Sequence, residues 1–406
     1  MDNQKPSHLG APTLVHNVAT FAEMMAHLRS QPIIAIDTES DSLYSYYPKV
    51  CLIQISTAIA NGNAEDTNTA TIAEADLNVA DYLLDPLRFT EFSELDNVLS
   101  DPTKEIILHA ASNDILTMQR DFGFSFNHIF DTQLAARILG WQYSGLARLL
   151  EDHFGIVSDK KMQLTNWGRR PLTSEQITYA QMDTHFLLAL RQIQLNELAQ
   201  RGRLEEAQEA FELLSHIDFQ ERTPSERSFW QMRVTRKVDR KDTAVLEALW
   251  LWREQEAQRQ NRPPFKIVTD AVLAQIAARR PTTTKKLRSI QGIGGAQTSR
   301  YAKAILHTVQ ESANRPLPEP PEQKPRPESL LDSDVLARYD ALRHWRTQRA
   351  TDRGVDPDIV FSNDTLLTIA MRQPTTECAL QEIPEIGAWR AHTYGPEIFK
   401  IVGQVS

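Results

Sequence analysis

Short apolar runs alternate with amphipathic stretches over the first half of the chain. Apolar runs of the kind that form buried strands cover residues 13–16, 33–39, 49–56, 82–84 and 105–109. Helical periodicity covers 18–28, 89–99 and 112–122, and helices are expected from there to about residue 217. Strands that alternate with helices predict an α/β layered fold for residues 1–215.

The second half has a helical pattern that occurs twice, at a constant spacing of 93 residues. The matching pairs include Trp252-Arg253 with Trp345-Arg346, Pro281-Thr282-Thr283 with Pro374-Thr375-Thr376, and Ile293-Gly294 with Ile386-Gly387. So many matches at one offset predict two copies of one all-α domain, at 239–313 and 330–406. A polar, basic linker is expected over 216–238 and an extended proline-rich linker over 314–329.

Length and composition set the class of protein. A chain of 406 residues is expected to form two or three domains. We expect no membrane segment, because uninterrupted apolar runs are short, and the N-terminus does not have the pattern of a secretory signal. The two cysteines, Cys51 and Cys378, lie far apart and favour a reducing compartment, so a cytoplasmic location is expected.

Net charge is distributed unevenly. The whole chain carries −9, but residues 1–215 carry −14, residues 237–315 carry +8, and residues 316–406 carry −4. Local charge governs the attraction of a polyanion, so the basic segment is the expected surface for nucleic acid.

Candidate chemistry begins where the run Ile33–Glu39 ends. Asp37 and Glu39 are two residues apart on a predicted strand and therefore point to the same face. Two adjacent carboxylates at the end of a buried strand repel each other and are costly to desolvate. A metal ion or a distant basic side chain would relieve this repulsion, although two solvated carboxylates are an equal alternative.

Further carboxylates follow at regular places. Asp114 comes five residues after His109 and lies in the first turn of a predicted helix. Asp131 could be another site residue or the N-cap of the next helix. Tyr179 and Asp183 are four residues apart and share one helix face.

Together these motifs resemble the DEDD exonuclease superfamily in its tyrosine-containing branch. The run from Trp167 to Asp183 is similar to that of the ribonuclease D family. The resemblance implies a ribonuclease H-like fold and four metal-binding acids, Asp37, Glu39, Asp114 and Asp183, with Tyr179 beside them. The polar insertion from Asn61 to Asn78 departs from the family's compact loop.

The chemistry of phosphodiester hydrolysis agrees with this set. Two divalent ions about 3.5–4 Å apart can neutralise charge on the attacking and leaving oxygens, and carboxylates suit Mg²⁺ or Mn²⁺. Tyr179 is expected to orient the attacking water, since a phenol with a pKa near 10 is a poor base at neutral pH.

Several neighbours have two readings each. His109 could contact the substrate phosphate or be a structural residue. The basic residues Lys160, Lys161, Arg169 and Arg170 could contact phosphates or form a solvated charged face. Trp167 could stack on a terminal base or lie in the core.

Each helical copy resembles the HRDC domain, which implies nucleic-acid binding. In the first copy, five basic residues surround the Gly292-Ile293-Gly294 turn: Lys285, Lys286, Arg288, Arg300 and Lys303. They form the expected RNA-binding surface, while the second copy, in an acidic segment, is the weaker candidate.

The combined expectation is a metal-dependent 3'-5' exoribonuclease that releases 5'-mononucleotides from structured RNA such as precursor tRNA 3' ends. The expected protein is a monomer without a nucleotide cofactor. The alternatives are a 3'-5' DNA exonuclease of the same superfamily and a catalytically idle RNA-binding scaffold. A helicase is excluded, because the sequence contains no G-x-x-x-x-G-K-[ST] phosphate loop.

Overall fold

The computed structural model describes residues 9–59, 78–219, 228–320 and 332–404. The insertion expected from Asn61 to Asn78 lies almost entirely outside the described residues. The chain forms two compact units. One contains the N-terminal region to Ser40, Val50–Phe219 and the C-terminal region, and the other contains Asp41–Lys49 and the first helical copy.

A six-stranded mixed sheet organises the first unit and confirms the predicted α/β class. Its strands are β1 (Thr13–Val15), β2 (Ile33–Ser40), β3 (Val50–Ala58), β4 (Val79–Leu84), β5 (Glu105–Leu108) and β6 (Ile129–Asp131). The order is β1-β4-β3-β2-β5-β6, and β3 runs antiparallel to both of its neighbours. The short strand β6 was not predicted, because three residues carry too little pattern to be read.

Eight α-helices accompany this sheet in the described residues before 219. They are α1 (Val18–Ser30), α2 (Asp96–Leu99), α3 (Ser112–Phe122), α4 (Thr132–Leu139), α5 (Leu146–Phe154), α6 (Ser174–His185), α7 (Leu187–Gln200) and α8 (Leu204–Ser215). The helix predicted over 89–99 is wrong in its first half, where only a 3₁₀ turn at Ser93–Leu95 precedes α2. The helical pattern read across 175–198 is divided at Phe186 into α6, which packs on β3, and α7, which packs on α4.

Alternation along β2 shows why the strand is apolar on both faces. Ile34 and Ile36 belong to a core shared with α1 and α3, whereas Ala35 faces a second core with α4 and α7. Asp37 and Glu39 continue the face of Ala35, as the period of two requires. Both faces of the strand are therefore covered, and the two carboxyl groups emerge under the helical layer.

Ten further helices form the two repeated modules. The first contains α9 (Thr243–Gln260), α10 (Pro264–Ile267), α11 (Asp270–Arg279), α12 (Thr284–Arg288) and α13 (Gly295–Ser312). The second contains α14 (Ser333–Arg353), α15 (Pro357–Val360), α16 (Asn363–Arg372), α17 (Glu377–Gln381) and α18 (Ala388–Gln404). Helices α10, α11 and α12 begin and end 93 residues before α15, α16 and α17, so the structure follows the sequence repeat.

Residues just before α9 are packed rather than extended. Short 3₁₀ turns cover Phe229–Gln231, Arg233–Lys237 and Arg240–Asp242, and Phe229 and Met232 are buried in the core of the first module. Residues 228–238 of the segment expected to be a linker over 216–238 thus contribute to this core. No helix among the described residues is both long and apolar enough to cross a lipid bilayer.

The second module packs directly on the helices of the sheet domain. Arg353, at the end of α14, donates a hydrogen bond to the carboxylate of Glu206 on α8, which is completely buried. The guanidinium of Arg203 donates to the carbonyl oxygen of Arg353 at 2.9 Å. Ile359 of α15 joins the core cluster that contains Phe211 of α8.

This buried ion pair leads to a prediction about stability. Replacing Arg353 with Met leaves the Glu206 carboxylate buried without its cation, so the free energy of unfolding should fall by about 3–5 kcal/mol. Chemical denaturation of the full-length protein measures the change.

Arg349, on the same helix, provides the control. It pairs with Glu397, but both side chains are about 40% exposed (41% and 38%). Arg349→Met should therefore cost no more than about 1 kcal/mol. Equal losses in the two variants would contradict the role assigned to the buried pair.

Candidate active site

Four carboxyl groups predicted from the sequence meet in the first unit. Asp37 and Glu39 come from the end of β2, Asp114 from the first turn of α3, and Asp183 from α6, one turn after Tyr179. A cleft of about 480 Å³ is lined by Asp37, Glu39, Tyr179 and Asp183 together with His109. Asp114 is buried beside them and interacts electrostatically with Asp37, Glu39 and Asp183.

The electrostatics of this cluster are dominated by burial and mutual repulsion. Burial, and then the charges of Asp114 and Asp183, hold the pKa of Asp37 well above its ordinary value. Burial, and then Asp37 and Asp114, raise the pKa of Glu39 to about 9. The pKa of Asp183 is raised well above its ordinary value by burial and then by Glu39 and Asp114. Without a nearby positive charge, these acids hold protons that carboxyl groups in water would lose.

Asp114 is the member of the cluster held most by hydrogen bonds. Burial raises its pKa to about 6, and hydrogen bonds, led by that from Thr38, oppose the rise. The Thr38 hydroxyl donates to an Asp114 carboxylate oxygen, which links β2 to α3. Thr38, which lies between Asp37 and Glu39 on β2, thus orients Asp114.

Asp131 supports the site from outside the cleft. Its carboxylate accepts hydrogen bonds from the backbone N–H groups of Gln133 (2.8 Å) and Leu134 (3.1 Å), so the N-cap interpretation is confirmed. It also accepts from the N–H groups of Ala110 (3.0 Å) and Ala111 (2.8 Å). Ala110 has a left-handed backbone (φ 60°), and Asp131 therefore stabilises the turn that leads into α3 and Asp114.

His109 lines the cleft and has a structural partner. Its Nδ1 lies 2.9 Å from the hydroxyl oxygen of Thr132. Burial lowers the pKa of His109 to about 4, an effect that the charge of Asp131 opposes. The imidazole is therefore neutral at pH 7 and would meet substrate as a hydrogen-bonding group rather than as a cation.

Tyr179 and Trp167 lie one behind the other. Burial and then Asp183 raise the pKa of the Tyr179 phenol further above its ordinary value, so the hydroxyl stays protonated. Trp167 is buried, and its ring centroid lies 6.1 Å from that of Tyr179. The structure therefore places Trp167 in the core beneath the tyrosine, and the base-stacking interpretation is wrong.

The basic residues near the site differ in their roles. Arg170 binds the carboxylate of Asp85 (Nε–Oδ2 2.5 Å) and the carbonyl oxygen of Cys51 (2.6 Å), so it is a structural ion pair. Lys160 lines the cleft, as do Gln163 and Arg148, which the sequence analysis did not select. Nothing in the sequence distinguishes these two residues, because only the fold brings the start of α5 and the 3₁₀ turn at Met162–Leu164 to the cleft.

Gln54 is an unusual neighbour of the acids. It is fully buried on β3, directly opposite Asp37 in the β2–β3 pairing, so the two side chains share a face. Neither amide atom has a hydrogen-bond partner among the described residues. A buried amide without a partner costs about 1–3 kcal/mol. The hydrogen-bonding capacity of the Gln54 amide, beside Asp37, is therefore unused.

These residues fit a hard divalent cation. In the described residues no three Asp, Glu, His or Cys side chains form a preformed metal cage. Mg²⁺ does not require one, because it keeps several waters and takes one or two carboxylates from the protein. The available donor atoms are carboxylate oxygens. The raised pKa values of these carboxyl groups indicate that positive charge is lacking nearby, and a bound cation would stabilise their ionised forms.

Comparisons with known proteins define the class. A family model described as 3'-5' exonuclease matches residues 12–199, and the HRDC domain model matches residues 242–309 and 335–402. The chain therefore contains a 3'-5' exonuclease domain followed by two HRDC domains.

Relatives that align over most of the chain identify the family within the 3'-5' exonucleases. Ribonuclease D of Nitrobacter hamburgensis is 30% identical over 385 residues, covering 94% of this chain and 93% of that protein. Ribonuclease D of Desulfotalea psychrophila is 29% identical over 337 residues, covering 83% and 84%. The chain belongs to the ribonuclease D family and is a 3'-5' exoribonuclease.

Solved structures confirm the fold. A protein from Bifidobacterium adolescentis superposes with a TM-score of 0.74 at 22% identity and covers 98% of both chains. Escherichia coli RNase D superposes with a TM-score of 0.61 at 22% identity and covers 97% of this chain and 99% of that one.

The raised carboxyl pKa values predict how stability depends on pH. The folded protein holds a proton on Glu39 up to about pH 9, whereas the unfolded chain loses it near 4.5. Folding therefore binds protons between these values, and in chelator the melting temperature should fall as pH rises from about 5 to 9.

Differential scanning calorimetry measures this slope. Glu39→Gln removes the titrating group and should flatten it, while Glu23→Gln, at an exposed position on α1, should not. An identical pH slope in wild type and Glu39→Gln would contradict the electrostatic account of the cluster.

Proposed function

We propose that this exoribonuclease trims the 3' ends of structured precursor RNA, such as precursor tRNA, and releases 5'-mononucleotides. The observation that supports the proposal is a cleft lined by three carboxyl groups and a protonated tyrosine, with the Asp114 carboxyl group buried beside it, in a ribonuclease D-family chain. The E. coli relative is described as an exoribonuclease involved in structured RNA processing, which favours this substrate class.

The proposed cofactors are two divalent ions, Mg²⁺ or Mn²⁺, which would activate a water for attack and neutralise charge on the leaving oxygen. Asp37, Glu39 and Asp183 would hold one ion, and Asp37 would also face the second. Asp114, oriented by Thr38, would reach the second ion through water.

Tyr179 would position the attacking water. Its hydroxyl stays protonated because burial and the neighbouring carboxyl groups raise its pKa. A protonated phenol can donate one hydrogen bond and accept others, so Tyr179 can fix the orientation of a water without removing its proton.

The first HRDC domain is the proposed RNA-binding module. Lys285, Lys286 and Arg288 on α12 are exposed, as are Arg300 and Lys303 on α13. A groove of about 580 Å³ runs between these two helices and is lined by Thr284, Ser299, Lys303 and His307. Exposed cations beside a polar groove suit a phosphate backbone.

RNA is the proposed partner, and the protein is proposed to act as a monomer in the cytoplasm. The carboxyl groups do not distinguish ribose from deoxyribose, which differ in the 2'-OH. A 3'-5' DNA exonuclease is therefore the alternative that a direct cleavage assay must test.

Asp37→Asn tests the catalytic proposal. Asp37 is the carboxylate proposed to face both ions, so its removal should lower the rate of stepwise cleavage at least about 10³-fold. The melting temperature in chelator should stay equal or rise, because repulsion among the carboxyl groups is relieved. The assay uses an end-labelled precursor tRNA with a 3' trailer and the matching DNA strand, each with Mg²⁺, Mn²⁺ or chelator.

Asp340→Asn, at an exposed position on α14, is the control and should cleave as wild type does. Near-normal metal-dependent cleavage by Asp37→Asn would contradict the site assignment, and preference for DNA would overturn the substrate class.

Combined substitution of Lys285, Lys286 and Arg288 by Gln tests the RNA-binding surface. Each lost phosphate contact should reduce the slope of log Kobs against log salt by about 0.7–0.9. The triple variant is therefore expected to bind RNA more weakly and with a shallower salt dependence.

A triple variant at exposed Arg29, Lys241 and Lys400 carries the same charge change away from this surface. Equal salt slopes for the two triple variants would argue against a specific role for α12.

A further inference from the structure

The two HRDC copies differ at the turn that precedes their last helix. In the first copy this turn, Gly292–Gly294, leads into α13. In the second copy the turn at the same repeat position, Glu385–Gly387, leads into α18. Both helices are long, with 18 and 17 residues, so both turns place first-turn N–H groups where an anion would be favoured.

In the second copy an anion already lies there. One carboxylate oxygen of Glu209, on α8 of the exonuclease domain, accepts from the backbone N–H groups of Trp389 (2.7 Å) and Arg390 (3.2 Å). The other oxygen accepts from the Arg390 guanidinium at 2.9 Å. The Glu209 and Arg390 side chains are only 9% and 10% exposed, so this is a shielded, charge-assisted site.

The turn is shaped for this ligand. A Cβ atom placed on Gly387 would collide with the Glu209 carboxylate. Glycine at this position therefore permits the carboxylate to approach the backbone N–H groups.

The first copy lacks the same site. Gln297 takes the repeat position of Arg390, and its side chain is used within its own domain. Its Oε1 accepts from the N–H of Gly294 at 3.0 Å, and its Nε2 donates to the carbonyl oxygen of Ile267 at 2.9 Å. The guanidinium that completes the carboxylate site is thus specific to the second copy.

The second copy has also lost the basic surface. At the repeat positions of Lys285, Lys286, Arg288, Arg300 and Lys303 it has Cys378, Ala379, Gln381, Thr393 and Pro396. Glu385 stands where the first copy has Gly292, and its carboxylate accepts hydrogen bonds from Ser362 (3.1 Å) and Thr365 (2.6 Å). An acidic turn with no basic residues at these five positions is a poor partner for RNA phosphate.

We propose that the second HRDC copy is an intramolecular docking domain whose anion-binding turn is occupied by Glu209 of the exonuclease domain. In the first copy the equivalent turn lies among the cations proposed to bind RNA phosphate, whereas in the second copy the turn contacts a protein carboxylate. This inference concerns the second copy alone and holds whether or not the first copy binds RNA.

Hydrogen exchange on the full-length protein tests the docking contact. In Glu209→Gln, and more strongly in Glu209→Ala, the amides of residues 388–391 should exchange at least about 10-fold faster than in wild type. Glu212→Gln, at an exposed position on the same helix, should leave their exchange unchanged. Wild-type protection in Glu209→Ala would overturn the proposal.

RNA binding by Arg390→Gln tests the second half of the proposal and introduces the residue that the first copy carries. The expected result is faster exchange at 388–391 with RNA affinity and its salt slope within twofold of wild type. A weaker affinity with a shallower salt slope would show that the turn binds phosphate and would overturn the proposal. The α12 triple variant tests RNA binding by the first copy, and Arg390→Gln tests the second copy. Failure of one proposal can therefore be distinguished from failure of the other.

Discussion

Repulsion among four clustered carboxyl groups, two of them buried and two partly buried, is the constraint on which this structure depends. Asp37 and Glu39 come from the end of one strand, and Asp114 and Asp183 from two helices. Burial raises the pKa of each. A fold that served stability alone would separate such groups or expose them to water. The divalent cation proposed for this site would relieve the repulsion, and it would supply the charge neutralisation that phosphodiester hydrolysis requires.

The rest of the first unit holds these groups against their repulsion. Asp131 stabilises the turn before α3 through two backbone hydrogen bonds and caps the start of α4 through two more. Trp167 packs beneath Tyr179, and the break at Phe186 allows α6 to cover β3 while α7 packs elsewhere. The second HRDC domain adds to the same unit through Glu206 and Glu209 of α8, so one helix of the exonuclease domain carries both docking carboxylates.

The sequence predicted the parts of the site that rest on local pattern. The strand period of two places Asp37 and Glu39 on one face at a strand end. The helical spacing of near four places Tyr179 and Asp183 on one helix face, and the start of a helical pattern places Asp114 in a first turn. The 93-residue repeat likewise anticipated helices α15 to α17 from α10 to α12. What the sequence did not predict depends on long-range packing. Gln163 and Arg148 reach the cleft, Gln54 is buried without a partner, and Glu209 meets α18, and no spacing along the chain encodes these contacts.

Calorimetric titration of Mn²⁺ into the protein at pH 7, in two buffers of different ionisation enthalpy, tests the central claim most directly. Metal binding to protonated carboxyl groups must release protons. The account predicts binding of two ions per chain with a net release of protons that is lost in Asp37→Asn. Binding without proton release, or no binding at the cleft, would contradict it.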